Sequence, residues 1–275
     1  MSRLFDAALS KRLERAEGEA CAEFAAARQR IFPQSGAEWI ASGGTYAVFD
    51  GIDSPVTQTF GLGLFEELTA TSLEAVEGFF LDRQAPVFHE VSPFAGVAAM
   101  DLLCRRGYRP VEISNVLVRP LADVDQEANP DSGGMSKLQV RVIHPEESRL
   151  WSDINAKGWS HEHPELHGFL LEMGTIGVER RHSDCFLAEL NGVPGAAAGL
   201  CIHGGVALLA GSATVPELRR RGLHTALLYE RLRHAARNGC DLAMIVVQPG
   251  SDSQRNAERN DFRIAYTRTK WKLYR

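Results

Sequence analysis

Along the first 30 positions apolar residues recur at helical spacing. Leu4, Ala8, Leu13, Ala20 and Phe24 fall near one face, and this predicts an amphipathic helix. Beyond it, 56–64 reads as a strand, 72–83 as a helix and 86–91 as a buried strand. A helix over 97–106 ends at Gly107-Tyr108, and 109–121 reads as a closing strand pair. Further on, 137–144 alternates as a strand, while 146–157 and 164–181 carry helical spacing. Strand 185–190, the hairpin signal Asn191-Gly192 and strand 195–202 follow, and Gly204-Gly205 turns the chain into strand 206–215. The helix 222–238 has Leu223, Ala226, Leu227, Leu232 and Ala235 as its apolar stripe and Gly239 as its C-cap. The continuous apolar run 242–247, bounded by Pro249-Gly250, has the mark of a buried strand. A short helix over 253–259 and an alternating segment, 263–274, close the chain as a strand or hairpin.

Between these two series lies 122–136, acidic, with Pro130, a Gly133-Gly134 pair and almost no apolar content: linker composition. Overlaying Tyr108 on Phe262 sets an offset of 154 residues that also brings Pro93 within two residues of Pro249. Element order and type agree across the offset while side chains barely match. A diverged internal repeat and a coincidence of common α/β elements both produce that pattern.

Composition narrows the class. At 275 residues and 30.2 kDa the chain holds one large domain or two small ones. A net charge of −5 argues against a dominant nucleic-acid surface. The five cysteines are odd in number and lack CxxC spacing, which suits reduced thiols in a cytoplasmic protein. No apolar run approaches a membrane span, and the N-terminal segment is too acidic for a transit peptide and lacks a signal-peptide core.

The densest chemistry lies in GSATVPELRRRGLHTALLYERL, residues 211–232. A strand ends at Val215 and a bend containing Pro216 follows. Then Arg219, Arg220, Arg221, Gly222, Leu223, His224 and Thr225 lead into a helix. The first amides of a helix lack internal partners and the macrodipole places positive charge there, so this turn suits a pyrophosphate. Gly222 lets the backbone approach closely. The alternative is an ordinary surface helix. The dipole disfavours arginine at a helix start, however, so three in succession need an anionic partner.

This stretch resembles the GNAT superfamily of acyl-CoA-dependent N-acyltransferases, whose cofactor loop has the form Q/R-x-x-G-x-G/A between a strand and a helix. Here it reads Arg219-x-x-Gly222-x-His224. SQRNAERNDFRIAYTRTKWKL is similar to the family's second cofactor-contacting segment, with Asp261-Phe262 where Gly-Phe is usual. The resemblance covers 137–275 by motif and the first half by element order alone. It implies an α/β fold of the α+β type: two tandem GNAT-like domains, each a mixed, mostly antiparallel sheet flanked by helices. The implied division is a degenerate domain over 1–121, a linker over 122–136 and a catalytic domain over 137–275. With acetyl-CoA as co-substrate, Ala213, Thr214 and Val215 would offer backbone groups to the pantetheine arm. Arg220, Arg221, Gly222, Leu223, His224 and Thr225 would cradle the pyrophosphate. Ser253 and Asn256 would touch the pantetheine or adenine end, or else serve as caps and helix-surface bonds.

His224 departs from the small residue usual at the last loop position. Ala257 stands where many members place a tyrosine that protonates the leaving thiolate. Ser253 is a substitute hydroxyl for that acid. Tyr266 reads either as a core residue or as an acid, and Glu189 either as a strand-end acid or as a base acting through water. In the resembled fold Trp159, His161 and His167 border the acceptor side, as substrate lining or as solvated loop. A metal site at His161, His163 and His167 would need a fourth ligand, Glu162 or Glu165, and no metal is expected. In the first half, Glu66-Glu67 occupies the matching loop and would repel a pyrophosphate. The expected activity is transfer of acetyl from acetyl-CoA to a primary amine by direct attack in a ternary complex. A covering sister half favours a small-molecule amine over a protein tail. A non-catalytic CoA-binding sensor is the alternative, and an aminoacyl or long-acyl transferase is a third reading.

Overall fold

The fold is described from a computed structural model over residues 6–122, 124, 137–159 and 164–274. Most of the expected linker, together with Leu4, His161 and His163, lies outside those residues. Helix α1 (Ala7–Ile31) is followed by strands β1 (Glu38–Ser42), β2 (Thr45–Phe49) and β3 (Gln58–Phe60), helix α2 (Ala70–Leu81), strand β4 (Phe88–Val91), helix α3 (Gly96–Arg105) and strand β5 (Tyr108–Pro120). Then come β6 (Leu138–Val142), α4 (Ser148–Trp159), α5 (His167–Glu179), β7 (Ser183–Leu190), β8 (Val193–His203), β9 (Val206–Thr214), α6 (Leu223–Arg237), β10 (Leu242–Val247), α7 (Asp252–Arg259) and β11 (Arg263–Leu273). The offset of 154 carries α2 onto residues 224–235, inside α6, and β4 onto 242–245, inside β10. The strand pairing is mixed and mostly antiparallel, with helices alongside.

By contacts the chain divides into two compact units, Met1–Arg119 with Met244–Arg275, and Pro120–Ala243. The final segment groups with the first unit because β11 pairs antiparallel with both β4 and β5: Lys270 stands opposite Glu90 on one side and Glu112 on the other. β11 is one continuous strand, and so is β5, where a strand pair was expected.

In the first unit β1 and β2 form a hairpin across Gly43 and Gly44, whose φ values of 55° and 76° lie in the left-handed region that favours glycine. This hairpin has no counterpart in the sequence reading. β2 continues antiparallel to β3, and β3 is parallel to β4. The expected strand 56–64 shrinks to three residues because Gly61 and Gly63 turn the chain with φ of 72° and 68°. Phe49, Leu62, Leu73, Phe80, Leu103 and Trp271 pack in the core under α2 and α3.

Helix α1 opens on Asp6, whose carboxylate accepts the Leu9 amide at 2.9 Å. Leu13, Ala20 and Phe24 are buried as the periodicity predicts, while Ala8 is exposed. The buried face also takes in Glu14 and Glu17. Both meet Arg268 of β11, at 3.1 and 2.6 Å, and Arg268 reaches Glu90 at 3.2 Å. Ion pairing of this kind is what permits charge burial. Burial pushes the Glu14 carboxyl up from its ordinary range against the pull of Arg268.

The second unit is an antiparallel meander β6-β7-β8-β9. Leu187 and Cys185 turn to one face, where Trp151 and Ile154 of α4 pack. Trp151 Nε1 donates to the Phe186 carbonyl at 3.0 Å. Phe186 turns to the other face and meets His234 of α6 edge-on at 5.2 Å. Helices α4 and α5 approach closely at Gly174: a Cβ there would lie 2.3 Å from the Ser148 carbonyl oxygen, so only glycine fits. No described helix is long and apolar enough to cross a membrane.

Candidate functional site

The last part of β9 is not regular. Ala210 pairs with Gly199 and Ala213 with Ala197, so Gly211 and Ser212 together face Ala198 alone. This is a bulge, and Gly211 takes it with φ at 58°. Beyond the bulge β9 meets the end of α4. A Cβ on Gly158 would lie 2.6 Å from that of Ala213, so the absent side chain lets helix and strand touch. Ser212 Oγ and Thr214 Oγ1 are sealed from solvent and have no hydrogen-bond partner.

The chain then enters the arginine loop, which is pinned from below. The Val215 amide donates to the Gly195 carbonyl at 2.9 Å, and the Val215 carbonyl accepts from Leu218 at 3.0 Å. Leu218 and Leu223 close over Gly195, where a Cβ would stand 2.3 and 3.0 Å from their methyl groups. Arg220 and Gly222 both adopt left-handed backbone, with φ of 60° and 83°. The first bond of α6 runs from the Ala226 amide to the Gly222 carbonyl at 2.9 Å, and no side chain caps the helix start. The amides of Leu223, His224 and Thr225 thus precede the helical bonding, at the positive end of the dipole. Arg220 and Arg221 are exposed beside them. Consecutive amides at a helix start, with cations alongside, bind anions.

His224 adds no charge to this cradle. Burial, and then the nearby Arg231 cation, push its imidazole down to about 4, so it is neutral at pH 7. Arg231 is itself buried, donating to the carbonyls of Gly199 at 3.0 Å and Leu227 at 3.2 Å.

Of the residues singled out in sequence, Ala213, Thr214, Val215 and 220–225 come together in the second unit. Both backbone groups of Val215 are already bonded within the protein, Ala213 is paired with Ala197 of β8, and the Thr214 carbonyl accepts from Arg219 Nε at 3.3 Å. Ser253 and Asn256 lie on α7 in the first unit. Ser253 is exposed, and the Asn256 carbonyl accepts from Asn260 Nδ2 at 2.8 Å. Ala257 is buried on the same helix. Tyr266 is a core residue of the first unit: its hydroxyl donates to Glu14 Oε1 at 2.8 Å, and burial holds its pKa well above the ordinary value. Glu189 stands on β7 beside the edge strand, two strands from β9, and its carboxylate is held by Arg141 at 2.8 Å. Both are fixed by structural partners. Trp159 ends α4, half-buried, His167 opens α5, exposed, and His161 is outside the described residues. No metal-binding cluster occurs among the described residues. The bulge at Gly211 and the contact at Gly158 escaped the sequence reading. A glycine inside the strand 206–215 is the signal that reveals the first.

The family model for the acetyltransferase (GNAT) family matches residues 145–262, the segment that holds this loop. No curated protein matches the sequence. Among solved structures, a GCN5-related N-acetyltransferase from Kribbella flavida is similar over 92% of this chain and 95% of its own, with TM-score 0.64 and 18% identity. A GCN5-related N-acetyltransferase from Sphaerobacter thermophilus is similar over 83% and 76%, with TM-score 0.55 and 16% identity. A tandem GNAT protein from the clavulanic acid biosynthesis pathway is similar over 74% and 68%, with TM-score 0.51 and 12% identity. Residues 145–262 thus match the acetyltransferase (GNAT) family model, and the fold of the chain is similar to that of solved GNAT proteins.

Proposed function

We propose that the protein transfers an acetyl group from acetyl-CoA to a primary amine on a small molecule, by direct attack within a ternary complex. One observation carries the reading: helix α6 opens without a side-chain cap, on a left-handed glycine, beside two exposed arginines and at the end of a bulged strand. The residues fit the donor. The amides of 223–225 and the side chains of Arg220 and Arg221 would hold the pyrophosphate. Ala213 and Thr214 would align the pantetheine arm, and the unpartnered Thr214 hydroxyl is a further donor there. When bound, acetyl-CoA supplies the reactive thioester.

The chain's own part is then positioning and electrostatics. An amide of β9 near Thr214 is the donor for the oxyanion that develops on attack. The amine must be neutral to attack, which costs about 4.6 kcal/mol at pH 7 for an amine of lysine type. With Glu189 tied to Arg141, water takes that proton. With Ala257 in the tyrosine's place, water also returns one to the leaving thiolate. A thiol near its reference pKa of about 8.5 leaves tolerably without a dedicated acid, so turnover is slowed and not forbidden.

One observation favours a second reading, a CoA-binding sensor without turnover: Tyr266 and Glu189 are both committed to structural partners, and Ala257 has no proton to give. Thiol release from acetyl-CoA across an amine library, run beside calorimetry with CoA, separates the two. The transferase gives amine-dependent thiol release with converging double-reciprocal lines. Binding without release under any amine supports the sensor. Parallel lines with an acetyl group isolable on a cysteine contradict direct attack.

A further inference from the structure

The loop carries three successive arginines, and the structure separates their roles. Arg220 and Arg221 are exposed and, among the described residues, form no ion pair. Arg219 is bound to the protein: its Nη2 donates to the Gly158 carbonyl at 2.9 Å and its Nε to the Thr214 carbonyl at 3.3 Å. We propose that Arg219 is a positioning residue that locks the end of α4 to the end of β9, and that it is not a phosphate ligand. The proposal rests on the acyl-transfer reading, in which α4 ends on the acceptor side.

The chemistry of the two carbonyls supports it. Gly158 lies in the last turn of α4, where helix carbonyls lack intrahelical partners and a cation is favoured by the dipole. Thr214 is the last residue of β9, just beyond the bulge. The planar guanidinium fork donates in two directions at once, which a lysine ammonium on a flexible stem does not reproduce. The backbones are close enough to be joined because Gly158 has no side chain to strike Ala213. Trp159 follows Gly158 directly, so the fork sets the register of that side chain against the strand that aligns the donor. The cradle amides do not depend on it: Val215, Leu218 and Leu223 anchor the loop at Gly195 independently. Loss of Arg219 therefore loosens the acceptor side while the anion site persists.

The test compares Arg219→Met and Arg219→Lys with the double variant Arg220→Ala, Arg221→Ala. Three quantities are measured: the calorimetric Kd for CoA, kcat for thiol release from acetyl-CoA with an accepted amine, and amide exchange over residues 155–159 without ligand. Both Arg219 variants should keep the CoA Kd within about twofold, lower kcat about tenfold or more, and raise exchange in the last turn of α4 about tenfold. The double variant should weaken CoA about tenfold or more, with α4 exchange unchanged. The inference is overturned if Arg219→Met weakens CoA as the double variant does while kcat stays intact. Full restoration of kcat by Arg219→Lys overturns it too, since a bare charge would then suffice. Wild-type protein that binds no CoA defeats the acyl-transfer reading. The exchange measurement, made without ligand, still decides the lock, and unchanged exchange in both Arg219 variants overturns it.

Discussion

Helices α2 and α6 begin at equivalent places in the repeated element order, and they treat their first amides in opposite ways. At α2, Thr69 Oγ1 accepts the Ser72 amide at 3.1 Å and Ser72 Oγ accepts the Thr69 amide at 3.0 Å, a reciprocal capping box. At α6 no side chain caps the start. The offset of 154 carries Glu66 and Glu67 onto Arg220 and Arg221, so the loop charges are reversed as well. The cavity at the start of α2, lined by Glu66, Glu67 and Ser72, is only about 50 Å³. One helix start is closed by its own side chains beside two carboxylates; the other has no side-chain cap and stands beside two arginines, which the proposed function reads as an anion site. Shared architecture therefore says little about which unit binds, and a cap and two charges say most of it.

The comparison breaks most sharply at Gly222. Gly222→Asp forces a side chain into left-handed backbone and sets a carboxylate against the phosphates. CoA affinity should fall about 100-fold or more, while Glu66→Ala should leave it unchanged in the same titration. Unaltered affinity in Gly222→Asp would remove the cradle from α6.

Each unit also holds a histidine kept neutral, His89 buried and His224 half-buried, and these sharpen the contrast through pH. His89, bonded to Thr59 and Tyr108 at 2.8 Å each, is pushed down to about 3 by burial, and His224 to about 4. Both fold as neutral rings, so their stabilisation is complete above the unfolded value near 6.5 and is lost as pH falls toward the folded value. For His89 the loss is on the order of 4 kcal/mol between pH 6.5 and 3. Denaturant unfolding between pH 7 and 4 should show stability falling with acid, and His89→Gln should flatten that slope. A slope unchanged by His89→Gln would mean that other groups carry the acid sensitivity.

The smallest effect tests the capped end. Thr69→Ala should destabilise the protein by about 1 kcal/mol, read as a lower denaturant midpoint, with CoA affinity untouched. A loss of affinity there would tie α2 to the binding site after all.

The loop itself was legible because its signal is local: glycine for positive φ, a basic run and a helical stripe all fall within 219–235. The extent of α6 is within a residue of the sequence reading at each end. What depends on distant partners was not legible. Nothing in 244–275 indicates that β11 enters a sheet with β4 and β5, since that pairing is decided across 145 residues or more. Nor does helical periodicity foretell that Glu14 and Glu17 turn inward, because Arg268, which permits it, lies at the other end of the chain. The three arginines look alike in sequence, and only the carbonyls of Gly158 and Thr214 set Arg219 apart.

The central claim is that one helix start of the two is an anion cradle. Its most direct test is the stoichiometry of CoA binding by calorimetry on the full chain. The account predicts one site per chain in the wild type and none in Gly222→Asp. Two sites per chain, or a site that survives Gly222→Asp, would contradict it.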